Sequence, residues 1–261
     1  MITLEEGRGG EKMIKFFYDH YTEEDICGMF TPAHILVVVL FFSLLALTLY
    51  LSRRLTAKGV RKTHFWIAVV VTAVEVVKIG LRVYKKQPPN DWMPLFYCSL
   101  FLFAVWFAFC KWEPLRRTGY AFMAMGGIAA AAFYIVYPST GLGMYPLWHP
   151  AALHGIAYHF VMCYTGLLLL LKGEYRPTVK DSLYYCIFIV AACIPSYFFN
   201  EWLGSNCMFL HNAFGLPVLD RILVRSHAAY IAIVVFGQAV AMYWLNYGLY
   251  RLALRLQEKR K

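Results

Sequence analysis

The chain is short of charge, and of acidic charge most of all. Of its 261 residues 15% are charged, and 15 Asp and Glu stand against 25 Lys and Arg. A water-soluble domain carries about 25% charge. Low charge, 60% hydrophobic residues and a positive mean hydropathy exclude that class and indicate an integral membrane protein. The apolar core of a cleavable signal peptide is missing too, because the first 32 residues are mixed polar and acidic, so no such peptide is expected. None of the seven cysteines stands in a CxxC pair, which argues against a thiolate metal cluster. Internal repeats, low-complexity tracts and a soluble module are also lacking. One helical bundle is expected over residues 32–250, with an extracytoplasmic N-terminal arm at 1–31 and a basic cytoplasmic tail at 251–261.

What is present is a series of seven apolar stretches, each close to the roughly 20 residues that a spanning helix needs. They run over Pro32–Leu51, His64–Val83, Trp92–Cys110, Thr118–Tyr137, Pro150–Leu171, Val179–Asn200 and Ala228–Tyr250. The expected fold class is all-α, a polytopic seven-transmembrane-helix bundle. The small-residue run MGGIAAAA in the fourth stretch suits close helix packing. Lys and Arg number sixteen on the side holding the loops after spans one, three and five and the C-terminal tail, against eight on the other. The positive-inside rule then places the N-terminus outside and the C-terminus in the cytoplasm. That bias explains the net charge of +10 without nucleic-acid binding. The basic loops are also suited to contact anionic lipid. The expected location is a cell membrane, of the bacterial cytoplasmic type. Cys27 and Cys207 fall on the outer side, where a disulfide between them is chemically open. The long outer segment Glu201–His227 reads either as an ordinary packed loop or as a re-entrant lid.

Charge inside a span is costly, about 2.5–3.5 kcal/mol per residue on insertion scales, and so marks function by default. Glu75, Lys78 and Arg82 lie on one face of span two at offsets of three and seven. The assigned orientation puts Glu75 near mid-membrane and Lys78 and Arg82 in the outer half. Cys98 and Ser99 enter span three from outside. His154 is shallow in span five, and His159 lies about 13 Å below Pro150 at the helical rise. Asn200 ends span six, with Asn206 beyond it. Together these residues predict a polar cavity in the outer half. Each also has a plainer role. Glu75 with Lys78 serves equally as a structural ion pair, Arg82 as a snorkelling cation, Cys98 as a packing thiol and the histidines as interhelical hydrogen-bond partners. His149, His154 and His159 recur every five residues, which does not align two ligands on one helical face, so no metal is expected. No other cofactor is indicated, and no feature specifies an oligomeric state.

Four segments, in this order, carry a resemblance: PLFYCSL at Pro94–Leu100, LHGIAYHF at Leu153–Phe160, GEYRPT at Gly173–Thr178, and NEWLGSNCMFL at Asn200–Leu210 followed by LPVLD. They resemble the YwaF family of bacterial membrane proteins, which is related to the eukaryotic transmembrane protein 164. The resemblance implies seven helices. Through the eukaryotic relative it also implies a lipid acyltransferase that moves a fatty acyl chain between phospholipids with a cysteine and a histidine. It carries the family cysteine position to Cys98 and the span-five histidine to His159, and it matches Asn200 and Asn206 at the end of span six. Two positions depart from it. Phe96 stands where bacterial members have a histidine, and Leu95 where the eukaryotic relative places its cysteine.

Two functions of different class follow. In the first, a phospholipid acyltransferase or acyl hydrolase, Cys98 attacks a lipid ester and His159 is general base and then acid. Lys78 or Arg82 binds phosphate or the oxyanion, and Asn200 or Asn206 donates a further hydrogen bond. In the second, Glu75, Lys78 and His159 form the site of an ion or small-molecule transporter. Membrane lipid is the expected partner in either case.

Overall fold

The computed structural model describes residues 22–89, 92–139, 141–213 and 216–259. Among these the chain is helical, with no strand. We number the helices α1 (Pro32–Leu51), α2 (Ala57–Tyr84), α3 (Leu100–Phe107), α4 (Glu113–Val136), α5 (Pro150–Leu171), α6 (Val179–Leu203), α7 (Pro217–Arg225) and α8 (His227–Glu258). The described part of the expected N-terminal arm begins at Thr22; the rest of that arm lies outside the described residues.

Helix starts follow local chemistry. Thr31 and Thr56 cap α1 and α2 by accepting the amides of His34 and Gly59, and Thr178 forms a capping box with Asp181 at α6. Each satisfies a first-turn amide that has no intrahelical partner. Proline stands at the first or second position of α1, α4, α5 and α7, where its missing N–H costs no hydrogen bond. At the far end of α6, Gly204 takes a left-handed conformation and closes the helix.

Five helices are long and apolar enough to cross a membrane: α1 extended to Arg54, α4, α5, α6 and α8. Helix α2 lies outside that group; it is 28 residues long and carries Glu75, Lys78 and Arg82. The third expected stretch differs in form. Trp92–Cys110 is not one helix, because α3 has eight residues. Ahead of it Leu95 bonds back to Met93, and Leu100, Phe101 and Leu102 each bond three residues back. Pro94 lacks the amide that an α-helical ladder needs there and biases Met93 toward extended backbone. The basic tail expected at 251–261 continues α8 as helix to Glu258, and the outer loop contains α7.

Helices α4 and α5 form the centre. α5 packs on α1, α2 and α4, and α4 packs on α3, α5 and α6, with α8 against α6. Helix α4 bulges through a π-turn at Phe122–Gly127, all six residues of which are buried. A Cβ on Gly126 would overlap the Tyr97 and Tyr185 hydroxyls, which hydrogen-bond each other across the core. The MGG run is thus a packing device. The outer face of α1 is apolar and exposed at Leu36, Val39, Leu40 and Leu47, as a lipid-facing surface should be. Two ends of the bundle result. One holds the starts of α1, α3, α5 and α8 and the ends of α2, α4 and α6. The other is basic, and is closed by Lys172 donating to the Arg53 carbonyl at 2.9 Å.

Candidate functional site

The charges of α2 meet the first turns of α5. Glu75 is buried, 4% exposed. One carboxylate oxygen pairs with Lys78 Nζ, and the other lies 3.7 Å from His154 Nε2. The offset of three aligns Glu75 and Lys78, and direct packing of α2 on α5 supplies His154. The carboxylate is therefore held between an ammonium and an imidazole.

Cys98 occupies the turn ahead of α3. Its thiol lies in electrostatic range of Lys78 and Glu75 of α2. Its carbonyl accepts from the Tyr158 hydroxyl at 3.3 Å. Ser99 is the first cap of α3 and offers its carbonyl to the Leu102 amide.

His159 is buried on α5. Its Nδ1 donates to the Gly155 carbonyl at 2.7 Å, one turn back on its own helix, so Nε2 keeps the lone pair. The ring stacks on Tyr134 with centroids 3.7 Å apart and meets the Tyr158 ring edge-on at 5.8 Å. Glycine is needed at position 155, because a Cβ there would overlap the Tyr134 hydroxyl. Among the described residues no hydrogen bond joins Cys98 to His159. The two share neighbours instead, since Tyr134 and Tyr158 both touch the His159 ring and both lie in electrostatic range of Cys98. Neither tyrosine was singled out by the sequence; Tyr158 adjoins His159 but carries no spacing signal.

Three expected site residues stand apart from this cluster. The Asn200 carbonyl oxygen accepts from the Ser205 hydroxyl at 2.6 Å and the Cys207 amide at 2.7 Å, while its Nδ2 donates to the Cys207 carbonyl at 2.9 Å. Asn206 is likewise used by His211 and Asn212. Both asparagines organise the outer loop. That loop turns inward: Cys207, Met208 and Leu210 are buried, Gln238 of α8 donates to the Met208 carbonyl at 2.8 Å, and Phe209 packs on Phe96. Cys27 and Cys207 are both free thiols. The third residue, Arg82, donates to Gln87 at 3.2 Å, and among the described residues its buried Nε has no hydrogen-bond partner. Outside the spans, burial and the nearby Arg82 and Lys85 hold His149 below the usual histidine range.

A second polar centre escaped the sequence. At the basic end Arg117 grips Asp181 through Nε and Nη2, both at 2.5 Å, and Asp181 also accepts the amide and hydroxyl of Thr178. Tyr243 donates to the Thr178 carbonyl at 2.7 Å. Arg117 had counted only toward the topology bias. The Thr178-x-x-Asp181 capping box was the available signal.

The TMEM164 family profile matches residues 29–250. The chain belongs to the TMEM164 family. The match begins just ahead of α1 and ends inside α8, so it takes in both polar centres, and with the apolar helices it makes the chain a multi-pass membrane protein. No curated protein and no solved structure matches it.

Proposed function

We propose that this TMEM164 family member carries out acyl transfer on phospholipid with Cys98 as nucleophile. The observation that carries the reading is the setting of the thiol: the turn that starts α3, the Lys78 ammonium in range, and Tyr158, which donates to the Cys98 carbonyl and meets the His159 ring edge-on. An ammonium in range favours the sulfur anion and works against the cost of charge in an apolar site. Sγ attacks the ester carbonyl of a phospholipid, and the ester C–O bond breaks to leave an acyl thioester. The freed lysolipid oxygen takes the thiol proton through His159 Nε2. The hydroxyl of a second lysolipid, or water, then attacks the thioester and returns the proton to sulfur by the same imidazole. Since His159 does not bond Cys98 in this state, the relay needs a water or a rotation of the Cys98 side chain. In this reading Lys78 meets the oxyanion. Seven crossings, with α2 and the Trp92–Cys110 segment added to the five, and a cytoplasmic basic end complete the proposal.

Transfer of a labelled acyl chain between phospholipids in proteoliposomes tests it. Cys98→Ala should abolish transfer while Cys163→Ala, a buried packing thiol, retains it. Undiminished transfer by Cys98→Ala would overturn the covalent step.

One observation favours a second reading. A buried carboxylate between an ammonium and a histidine is an arrangement suited to carrying a proton. Glu75 and His154 would then serve ion-coupled transport, and substrate flux into proteoliposomes without chemical change, lost in Glu75→Gln, would support it over acyl transfer.

A further inference from the structure

The basic end of α2 holds features that the Cys98 cluster does not use. Lys58, Arg61 and Lys62 follow the Thr56 cap at offsets that put all three on one face of the first two turns. All three are exposed, and among the described residues none forms an ion pair. With Phe65 and Phe109 they line an open cavity of about 420 Å³ on the surface. The Arg61 guanidinium lies over the Phe109 ring, 5.9 Å from its centroid.

A second cavity of about 500 Å³ adjoins the first, and Lys62 lines both. Its character differs. Beyond Lys62 it runs along α2 past Gly59, Trp66 and Val70 to Val161 of α5. Both are open grooves on the surface of the bundle, a shape suited to a lipid lying along them and not to an enclosed solute. Trp66 lines the second cavity four residues beyond Lys62. A tryptophan one turn inside a basic cluster suits the boundary between headgroups and hydrocarbon.

We propose that this end of α2 is a binding site for one anionic phospholipid. Lys58, Arg61 and Lys62 hold the headgroup phosphate in the first cavity, and an acyl chain lies in the apolar groove between α2 and α5. Charge complementarity selects the occupant: three unpaired cations at the positive start of a helix demand an anion, and the groove running from them into the hydrocarbon demands an attached chain. A soluble phosphate would meet only the first demand, and a neutral zwitterionic lipid only the second. Residue 62 is thirteen positions from Glu75, about 20 Å along the helix. The site is therefore separate from the Cys98 cluster and does not depend on its chemistry.

Native mass spectrometry of the purified full-length protein, exchanged into mixed micelles of phosphatidylglycerol and phosphatidylcholine, tests the proposal. The wild type should retain one phosphatidylglycerol in preference to phosphatidylcholine. Lys58→Gln/Arg61→Gln/Lys62→Gln should weaken that retention about tenfold or more. Arg251→Gln/Arg255→Gln/Lys259→Gln removes equal charge from the α8 end and should leave it unchanged. Val70→Trp, which fills the groove, should weaken retention while leaving the preference for the anionic headgroup. Four results would overturn the site: equal retention of the two lipids, retention unaffected by the α2 triple variant, equal loss in the α8 control, or displacement by millimolar inorganic phosphate.

Discussion

Glu75 shows how one side chain divides between stability and chemistry. Its two oxygens face Lys78 and His154, and it is almost wholly buried. Removing one partner of a buried pair strands the other, at a cost of about 3–5 kcal/mol. Glu75→Gln should therefore lower the thermal midpoint by several degrees, and adding Lys78→Met should recover part of the loss. A double-mutant cycle on melting temperature measures the coupling; strictly additive effects would mean that the pair contributes nothing as a pair. His159 differs. Its Nδ1 is committed to the Gly155 carbonyl and its ring to Tyr134. If its Nε2 is the base, His159→Gln should cut acyl transfer by about 10²–10⁴-fold while leaving the melting temperature nearly unchanged. A loss of stability as large as the loss of activity would instead mark a packing residue.

At the scale of elements, two segments govern the site's surroundings. The π-turn of α4 brings Gly126 against the hydroxyls of Tyr97 and Tyr185, and Tyr97 adjoins Cys98 in the turn before α3. Gly126→Ala overpacks this contact and should cost about 1–3 kcal/mol, with Tyr185→Phe in the same chain restoring part of it, both read from thermal unfolding. The outer loop is held by Asn200, whose amide takes both the amide and the carbonyl of Cys207. Asn200→Ala leaves these groups unpaired in a buried place. Hydrogen exchange over residues 203–213 should then rise well above that of α5, and unchanged protection there would show that the bonds from Gln238 and Tyr230 suffice alone. The sequence read the helices well where periodicity was unbroken, as at Pro150–Leu171. It read them poorly where proline and local turns broke a run of apolar residues, as at Trp92–Cys110, because hydropathy measures length in residues and not the continuity of a hydrogen-bond ladder.

For the whole molecule, the distribution of charge and the path of the chain agree: Lys172 closes onto Arg53 at the basic end, and the Arg117–Asp181 pair lies there too. If that end faces the cytoplasm, a cysteine placed at Arg255 should react with an impermeant maleimide only after permeabilisation, and one placed at Thr22 should react in intact cells. The reverse pattern would invert the topology. Composition, apolar run length and Lys/Arg bias are properties of the chain itself, because transfer to lipid is summed residue by residue. They were enough to make this an all-helical membrane protein and to single out the charges Glu75 and Lys78 within a span, while the resemblance singled out Cys98 and His159 as candidates. Tertiary packing alone decided who meets whom. It placed His154 on Glu75, set Tyr134 and Tyr158 between Cys98 and His159, turned Asn200 and Asn206 into loop supports, and opened cavities at the basic end of α2. Such contacts join residues far apart in sequence through the rotation and offset of packed helices, which no single helix encodes.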